Sequence, residues 1–280
     1  MKCFDCPRMC GIDRSKSKGF CGEKDKIRVS KVIENFMWEE PCISGKKGAL
    51  AIFFSGCNLR CDFCQNYDIS HIGKGKEYSP EEFRDYLNSF DLTMFDSIDL
   101  VTPTHFSSLL AKAFENFSSP VPVVWNSSGY ENEKTIEVVS KFVDVFLPDF
   151  KYYDASLSEK LSCAKDYFSV ASKAIKKMRE LKSENIFDGD VLKEGVLIRH
   201  LVLPGNAKDS FKILEFISQN IKNPFISLMC QFTPNGRGQI DKKLTILEYK
   251  AVCSHAQKLG LESGYVQELS SADDSFIPQF

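Results

Sequence analysis

The fold turns on the stretch Ala49-Leu50-Ala51-Ile52-Phe53-Phe54-Ser55-Gly56-Cys57-Asn58-Leu59-Arg60-Cys61-Asp62-Phe63-Cys64-Gln65-Asn66. Its first seven residues are a near-continuous apolar run between Gly48 and Gly56, the pattern of a strand covered on both faces. Similar short runs recur at 97–102, 121–125, 142–147, 195–202 and 225–231. Segments of helical period lie between them: 106–117, 131–141, 166–184 and 208–221. Another opens at Ser79-Pro80-Glu81-Glu82, a capping box with proline at the first helical position, and places Phe83, Leu87 and Phe90 on one face. A second capping box, Thr245 to Glu248, starts the final helix, which stops before Gly260. Six strands alternating with helices imply parallel pairing through right-handed crossovers. The expected fold is α/β, either an open doubly wound sheet or a partial barrel, with functional loops at the C-terminal ends of the strands. The cysteine-bearing loop stands just after the first of these strands.

Composition narrows the classes. The chain has 280 residues, 43% of them hydrophobic and 23 of them Phe, enough for a single large core. Its formal charge is −2, with basic residues scattered among acids, which argues against a nucleic-acid partner. No apolar run approaches the roughly 18 residues of a membrane span, and the polar start Met1-Lys2-Cys3-Phe4-Asp5-Cys6 does not read as a signal peptide. The expectation is a cytoplasmic protein without membrane contact. Of 11 cysteines, eight fall within the first 64 residues, and in a reducing compartment such crowding points to metal ligation rather than disulfides. Residues 1–48 read as turn-rich, with Cys, Gly and Pro too close together for long elements. The expected division is a Cys-rich, metal-binding segment at 1–45 and a barrel at 46–280.

Cys57, Cys61 and Cys64 place three thiolates on one loop, a donor set suited to soft metals and iron–sulfur clusters. A cluster held wholly by protein takes four cysteines, so three leave one metal position open. The alternative is a zinc knuckle with Cys42 as fourth thiolate. The C-x3-C-x2-C spacing after a first strand resembles the radical S-adenosylmethionine superfamily. Further blocks, EEPCISG (39–45), VTPTH (101–105), LPDFKY (147–152), RHLVLPG (199–205) and MCQFTP (229–234), resemble the pyruvate formate-lyase activating enzymes and their PflX-type relatives.

The resemblance implies a partial (β/α)6 TIM-like barrel with a Cys-rich N-terminal extension. It implies a [4Fe-4S] cluster on Cys57, Cys61 and Cys64, with S-adenosyl-L-methionine on the open iron. An electron from the reduced cluster then cleaves the cofactor to a 5′-deoxyadenosyl radical, which takes hydrogen from a substrate. Phe63 takes the place of an aromatic residue beside the adenine. Asn126 and Ser128, in a polar block after the third strand, contact the cofactor; the same residues also suit a turn and helix cap. Asp149 and Lys151 match an Asp-x-Lys pair facing the ribose and the methionine carboxylate. Arg199 matches an arginine on that carboxylate, with a surface ion pair as the bland alternative. Gln231 and Thr233 fall near the adenine edge. The family's Gly-Gly-Glu block for the amino group is missing; Thr102 and Thr104 stand in that region, with His105 as a substrate contact or a structural residue. The family also implies a reductant such as flavodoxin or ferredoxin and, as one substrate, a backbone glycine of a partner enzyme.

Cys3, Cys6, Cys10 and Cys21 form a second set, suited to a closed zinc site (Zn2+) or an auxiliary iron–sulfur cluster. Cys163, Cys230 and Cys253 read as small packing residues. Modification of another peptide or a small molecule is the alternative reaction, and a non-catalytic, metal-bearing interaction protein is the alternative class. A radical methyltransferase is disfavoured, because no cobalamin-binding domain fits this length.

Overall fold

The computed structural model describes residues 2–268, so the last residues of the expected barrel segment, 269–280, lie outside the described residues. After an N-terminal run of turns come β1 (Ile27–Phe36), a single helical turn α1 (Pro41–Ser44), β2 (Ala49–Phe54), the short β3 (Lys76–Tyr78) and α2 (Pro80–Asn88). Strand–helix units follow: β4 (Ser97–Val101) with α3 (Ser107–Phe114), β5 (Val123–Ser127) with α4 (Glu133–Val139), and β6 (Val145–Pro148) with α5 (Ala155–Ser162) and α6 (Tyr167–Leu181). The last third comprises the hairpin β7 (Ile186–Asp188) and β8 (Val191–Val196), then β9 (Ile198–Leu201), α7 (Ala207–Asn220), β10 (Ile226–Met229), α8 (Ile246–Lys258) and β11 (Gly264–Val266).

Strands β2, β4, β5, β6 and β8 pair in that order, all parallel, and β9, β10 and β11 form a second parallel group. The groups are one wall. Leu197 N–H donates to Phe146 O at 3.0 Å, Phe150 N–H donates to Arg199 O at 2.7 Å, and Asp149 bridges Arg199 in parallel register. The expected strand at 195–202 is therefore present but divides at Leu197, where its bonding becomes shared between β6 and β10. This is the expected α/β architecture, a partial (β/α)6 barrel. Among the described residues no helix is long and apolar enough to cross a membrane.

Alternation along the strands sorts side chains into two environments. Leu50, Ile52 and Phe54 face the helices, with Phe54 against the rings of Phe83 and Phe106. Ala49, Ala51 and Phe53 face the lumen, with Phe36 and Val101. Both sets are buried, which explains why the strand shows no polar alternation.

The turn-rich expectation for 1–48 fails at β1, a ten-residue strand antiparallel to β2. Its outer half is part-exposed, so apolar alternation is incomplete and the run reads as loop. The link from β1 to β2 then enters the lumen at the end where the strands begin. There Cys42 and Ile43 of α1 pack with Val124, Val145, Leu147, Leu192 and Leu197, and Ser97 Oγ donates to Ile43 O at 2.8 Å. Cys42 is thus part of an apolar plug at the opposite end from the Cys57 loop, which removes it as a fourth thiolate there.

At the other end, the segment after β10 is clasped to the loop after β2. Asn235 Nδ2 donates to Asp62 O and Gln239 N–H to Asp62 Oδ2, both at 3.0 Å, and Gln65 Nε2 donates to Gln231 O at 2.9 Å. Arg237 lies 4.5 Å above the Tyr67 ring. These contacts join the segment after β10 to the loop after β2, across a gap that no ladder spans among the described residues.

Candidate functional site

The loop Cys57–Cys64 leaves β2 at the C-terminal ends of the parallel strands, where convergent loops surround the lumen. Backbone and side-chain donors face its sulfurs. Leu59 N–H lies 3.3 Å from Cys57 Sγ, Ser162 Oγ 2.9 Å from Cys61 Sγ and Ser70 Oγ 3.4 Å from Cys64 Sγ. Burial pushes the Cys61 thiol up to about 12, with the nearby Lys151 ammonium pulling the other way. The three thiols are free and sense one another's charge, and among the described residues no three such side chains are closed into a ligand geometry.

Of the barrel positions singled out from the sequence, ten line one cavity of ≈ 220 Å³, along with Thr102 and Thr233: Cys57, Cys61, Phe63, Cys64, Asn126, Ser128, Asp149, Lys151, Arg199 and Gln231. They come from five different strand ends, far apart in sequence. Phe63 packs against Phe232 with ring centroids 5.8 Å apart, giving the cavity an apolar side. Gln231 Oε1 is fixed by Gln267 Nε2 at 2.8 Å. Ser128 Oγ and Thr233 Oγ1 line the same space, buried and without a hydrogen-bond partner. Two orphaned hydroxyls in a cavity mark a surface prepared for a polar ligand.

The block Asn126–Gly129 is shaped by its last residue. Gly129 has φ +72°, and a Cβ there would lie 2.4 Å from Asp149 O, so only glycine allows the ends of β5 and β6 to approach this closely. The Tyr167 hydroxyl pins the same junction, 2.8 Å from Ser128 O and 2.9 Å from Asp149 O.

Arg199 is the hub of a polar layer between plug and cysteine loop. Its Nε donates to Asp149 Oδ1 at 2.9 Å, one terminal nitrogen to Glu39 Oε2 at 2.8 Å and the other to Asn126 Oδ1 at 2.5 Å. Lys151 Nζ stands 2.5 Å from Asp149 Oδ2. Burial alone would raise the Asp149 carboxyl, but Arg199 and Lys151 outweigh it and hold Asp149 below the usual carboxylate range. This is an enclosed charge network, not the surface ion pair that was the alternative reading of Arg199.

Glu39 and Asp99 were not found from the sequence. Burial, with the charge of Asp99 added, pushes Glu39 well above the usual range, and burial, with the charge of Glu40 added, pushes Asp99 up to about 7. Their carboxyls hydrogen-bond to each other, and Asn126 Nδ2 lies 3.2 Å from both. Such a pair shares a proton at neutral pH. Asp99 had a visible signal, an acid in the middle of an apolar strand, Ser97-Ile98-Asp99-Leu100-Val101. Glu39 stood within the block EEPCISG, but nothing local marked it as a site residue, because its partner Arg199 is 160 residues away.

The threonines after β4 separate. Thr102, at φ +62°, lines the cavity, whereas Thr104 turns away and donates to Glu131 Oε1 at 2.7 Å. His105 is buried outside the cavity, its Nε2 2.7 Å from Ser55 O, so it positions the strand end before the cysteine loop. Cys230 is fully buried, as read from the sequence, but Cys163 is exposed at the end of α5. Its left-handed backbone there ends the helix rather than packing a core.

Residues 51–217 match the Radical SAM superfamily. The chain is 30% identical over 282 residues to an uncharacterised protein of Methanocaldococcus jannaschii, covering 94% of this chain and 76% of the relative. It is 27% identical over 186 residues to the pyruvate formate-lyase-activating enzyme of Clostridium pasteurianum, covering 61% of this chain and 70% of that enzyme. Its fold is similar to that of Streptococcus suis SuiB, solved bound to S-adenosylmethionine, with TM-score 0.50 and 12% identity. That similarity covers 81% of this chain and 48% of SuiB, so the chain spans about half of that structure.

Proposed function

The chain belongs to the radical SAM superfamily, and from that premise we propose that Cys57, Cys61 and Cys64 hold a [4Fe-4S] cluster beside a cavity that takes S-adenosylmethionine. The convergence of ten separately identified side chains on one cavity carries this reading. The donor set fits the group: three thiols on one loop leave a cluster position open to a ligand, and two buried hydroxyls in the cavity lack partners. When bound, the cluster and cofactor supply the 5′-deoxyadenosyl radical that takes a hydrogen atom from the substrate.

The chain's own groups bind and orient. Arg199, held by Asp149, Glu39 and Asn126, presents a fixed guanidinium suited to a carboxylate. Lys151 places positive charge near Cys61, which favours the thiolate needed for ligation. Phe63 and Phe232 offer the apolar surface for a purine ring, Gln231 a polar edge, and Ser128 and Asn126 further hydrogen bonds. Asp149, anionic between two cations, is placed for ribose hydroxyls.

For the substrate we propose a backbone glycine of a partner enzyme, with a flavodoxin or ferredoxin as reductant. The support is the similarity to the Clostridium activating enzyme. The test is anaerobic reconstitution followed by dithionite and S-adenosylmethionine. The wild type should release 5′-deoxyadenosine, and Cys61→Ala should lose both the Cys57-loop iron and the product. Product from Cys61→Ala, or none from an iron-loaded wild type, overturns the reading. A stable radical on an added partner, seen by electron paramagnetic resonance, tests the glycine assignment separately.

A further inference from the structure

We propose that Cys3, Cys6, Cys10 and Cys21 hold a second, four-thiolate metal centre that braces the loop carrying Cys57, Cys61 and Cys64. The four cysteines lie on one set of tight turns: Cys6 and Cys21 are buried, and the Cys10 and Cys21 sulfurs share the space around Gly19. Around Gly19, the Cys21 and Cys10 sulfurs lie 3.4 and 3.7 Å from where a Cβ would stand, and Phe20 N–H lies 3.5 Å from Cys10 Sγ. The backbone between them is a set of tight turns, Cys3 N–H to Ile12 O, Gly11 N–H to Cys3 O, Met9 N–H to Cys6 O and Gly22 N–H to Gly19 O.

This module has almost no core. Phe4 and Met9 are exposed, and Phe20 stacks between Arg8 and Arg60 at 3.9 and 5.0 Å. A segment this short without apolar burial needs another source of cohesion, and four thiolates on a soft metal provide one.

Its docking site is the cysteine loop itself. Cys57 N–H donates to Cys21 O at 3.3 Å. Arg8 donates to Asn58 O at 2.8 Å and to Cys163 O at 2.6 Å, joining the loop to the end of α5. Gly56 sits at φ +78°, where a Cβ would lie 2.5 Å from Cys21 O, so the contact leaves no room for a side chain. The backbone of one proposed ligand thus hydrogen-bonds that of another, and order in the module passes directly to the loop.

A single zinc ion and an iron–sulfur cluster share this donor chemistry, and metal content distinguishes them. The full chain would be prepared anaerobically as wild type, as a Cys57→Ser/Cys61→Ser/Cys64→Ser variant and as a Cys3→Ser/Cys6→Ser/Cys10→Ser/Cys21→Ser variant. The first variant should retain one centre per chain, either about one zinc or about four irons with four sulfides. The second should lack that centre. Stripping the retained metal from the first variant with a chelator should speed amide exchange at residue 57 about tenfold or more. A first variant without metal, a second with the wild-type metal content, or unchanged exchange after chelation overturns the proposal. None of these readouts uses cofactor cleavage, so the inference stands or falls apart from the proposed reaction.

Discussion

At the scale of single residues, the polar layer places more negative than positive charge in a closed space. Four carboxyls, Glu39, Glu40, Asp99 and Asp149, surround Arg199, with Lys151 as the second cation among the described residues, and burial raises Glu39 and Asp99 toward the protonated form that relieves this excess. Asp99 titrates near 7 in the fold and near 4 (roughly) when unfolded. Between those values the folded state binds the extra proton, so its contribution is full below the unfolded value and is lost as pH rises through about 7. Thermal melts of wild type and Asp99→Asn should therefore diverge in favour of the variant from pH 5 to pH 8; a constant difference would refute the shared proton. Arg199→Ala strands these carboxyls, with an expected loss of about 3–5 kcal/mol in denaturant unfolding. Arg199→Lys keeps the charge but not the fork, and should weaken S-adenosylmethionine binding about tenfold or more with the cluster's visible absorption retained. Equal cofactor affinity in that variant, measured by equilibrium binding, would remove Arg199 from the cofactor site.

At the scale of elements, local rules were sufficient wherever local bonds terminate the structure. Ser79 Oγ accepts from Glu82 N–H at 3.2 Å, and Glu82 accepts from Ser79 N–H at 2.6 Å, the reciprocal box read from the sequence. Ser79→Ala should cost about 1 kcal/mol by denaturant titration, with cofactor binding unchanged. The helices starting near 107, 133, 167, 207 and 246 fall where periodicity placed them. Observed strands are shorter than their apolar runs, because 121–122 and 142–144 lead into the ladder and meet it through isolated backbone bonds at Pro122 and Asp144. The misses include β1, β3, β7, α5 and β11, part-exposed elements whose order comes from neighbours rather than from a strong apolar face, and the single buried turn α1. Asn235 belongs to this scale too. Its side chain accepts from Arg237 and Gly238 N–H while donating to Asp62 O. Asn235→Ala should loosen 233–240, raising amide exchange there and the cofactor Kd together; tighter or unchanged binding would assign the clasp a purely structural role.

At the scale of the whole molecule, the lumen is stacked along its axis: an apolar plug of Cys42 and Ile43, a charged layer around Arg199, then the cysteine loop flanked by the N-terminal module. The strand-then-loop order of 49–66, the parallel α/β class and the identities of the ten cavity residues were legible in the sequence alone. Period, glycine boundaries, thiolate spacing and a charge interrupting an apolar run are local properties written within a few residues, whereas most of the other cavity residues were named through the resemblance of short blocks to a known family. What only the tertiary structure decided is which distant groups meet. Glu39 reaching Arg199, Cys42 lying at the far end from Cys57, His105 holding Ser55 rather than facing the cavity, and Cys21 touching Cys57 are all products of how the wall curves and of one connection entering the lumen. Those encounters are set by the packing of the whole wall, and no window of sequence contains both partners.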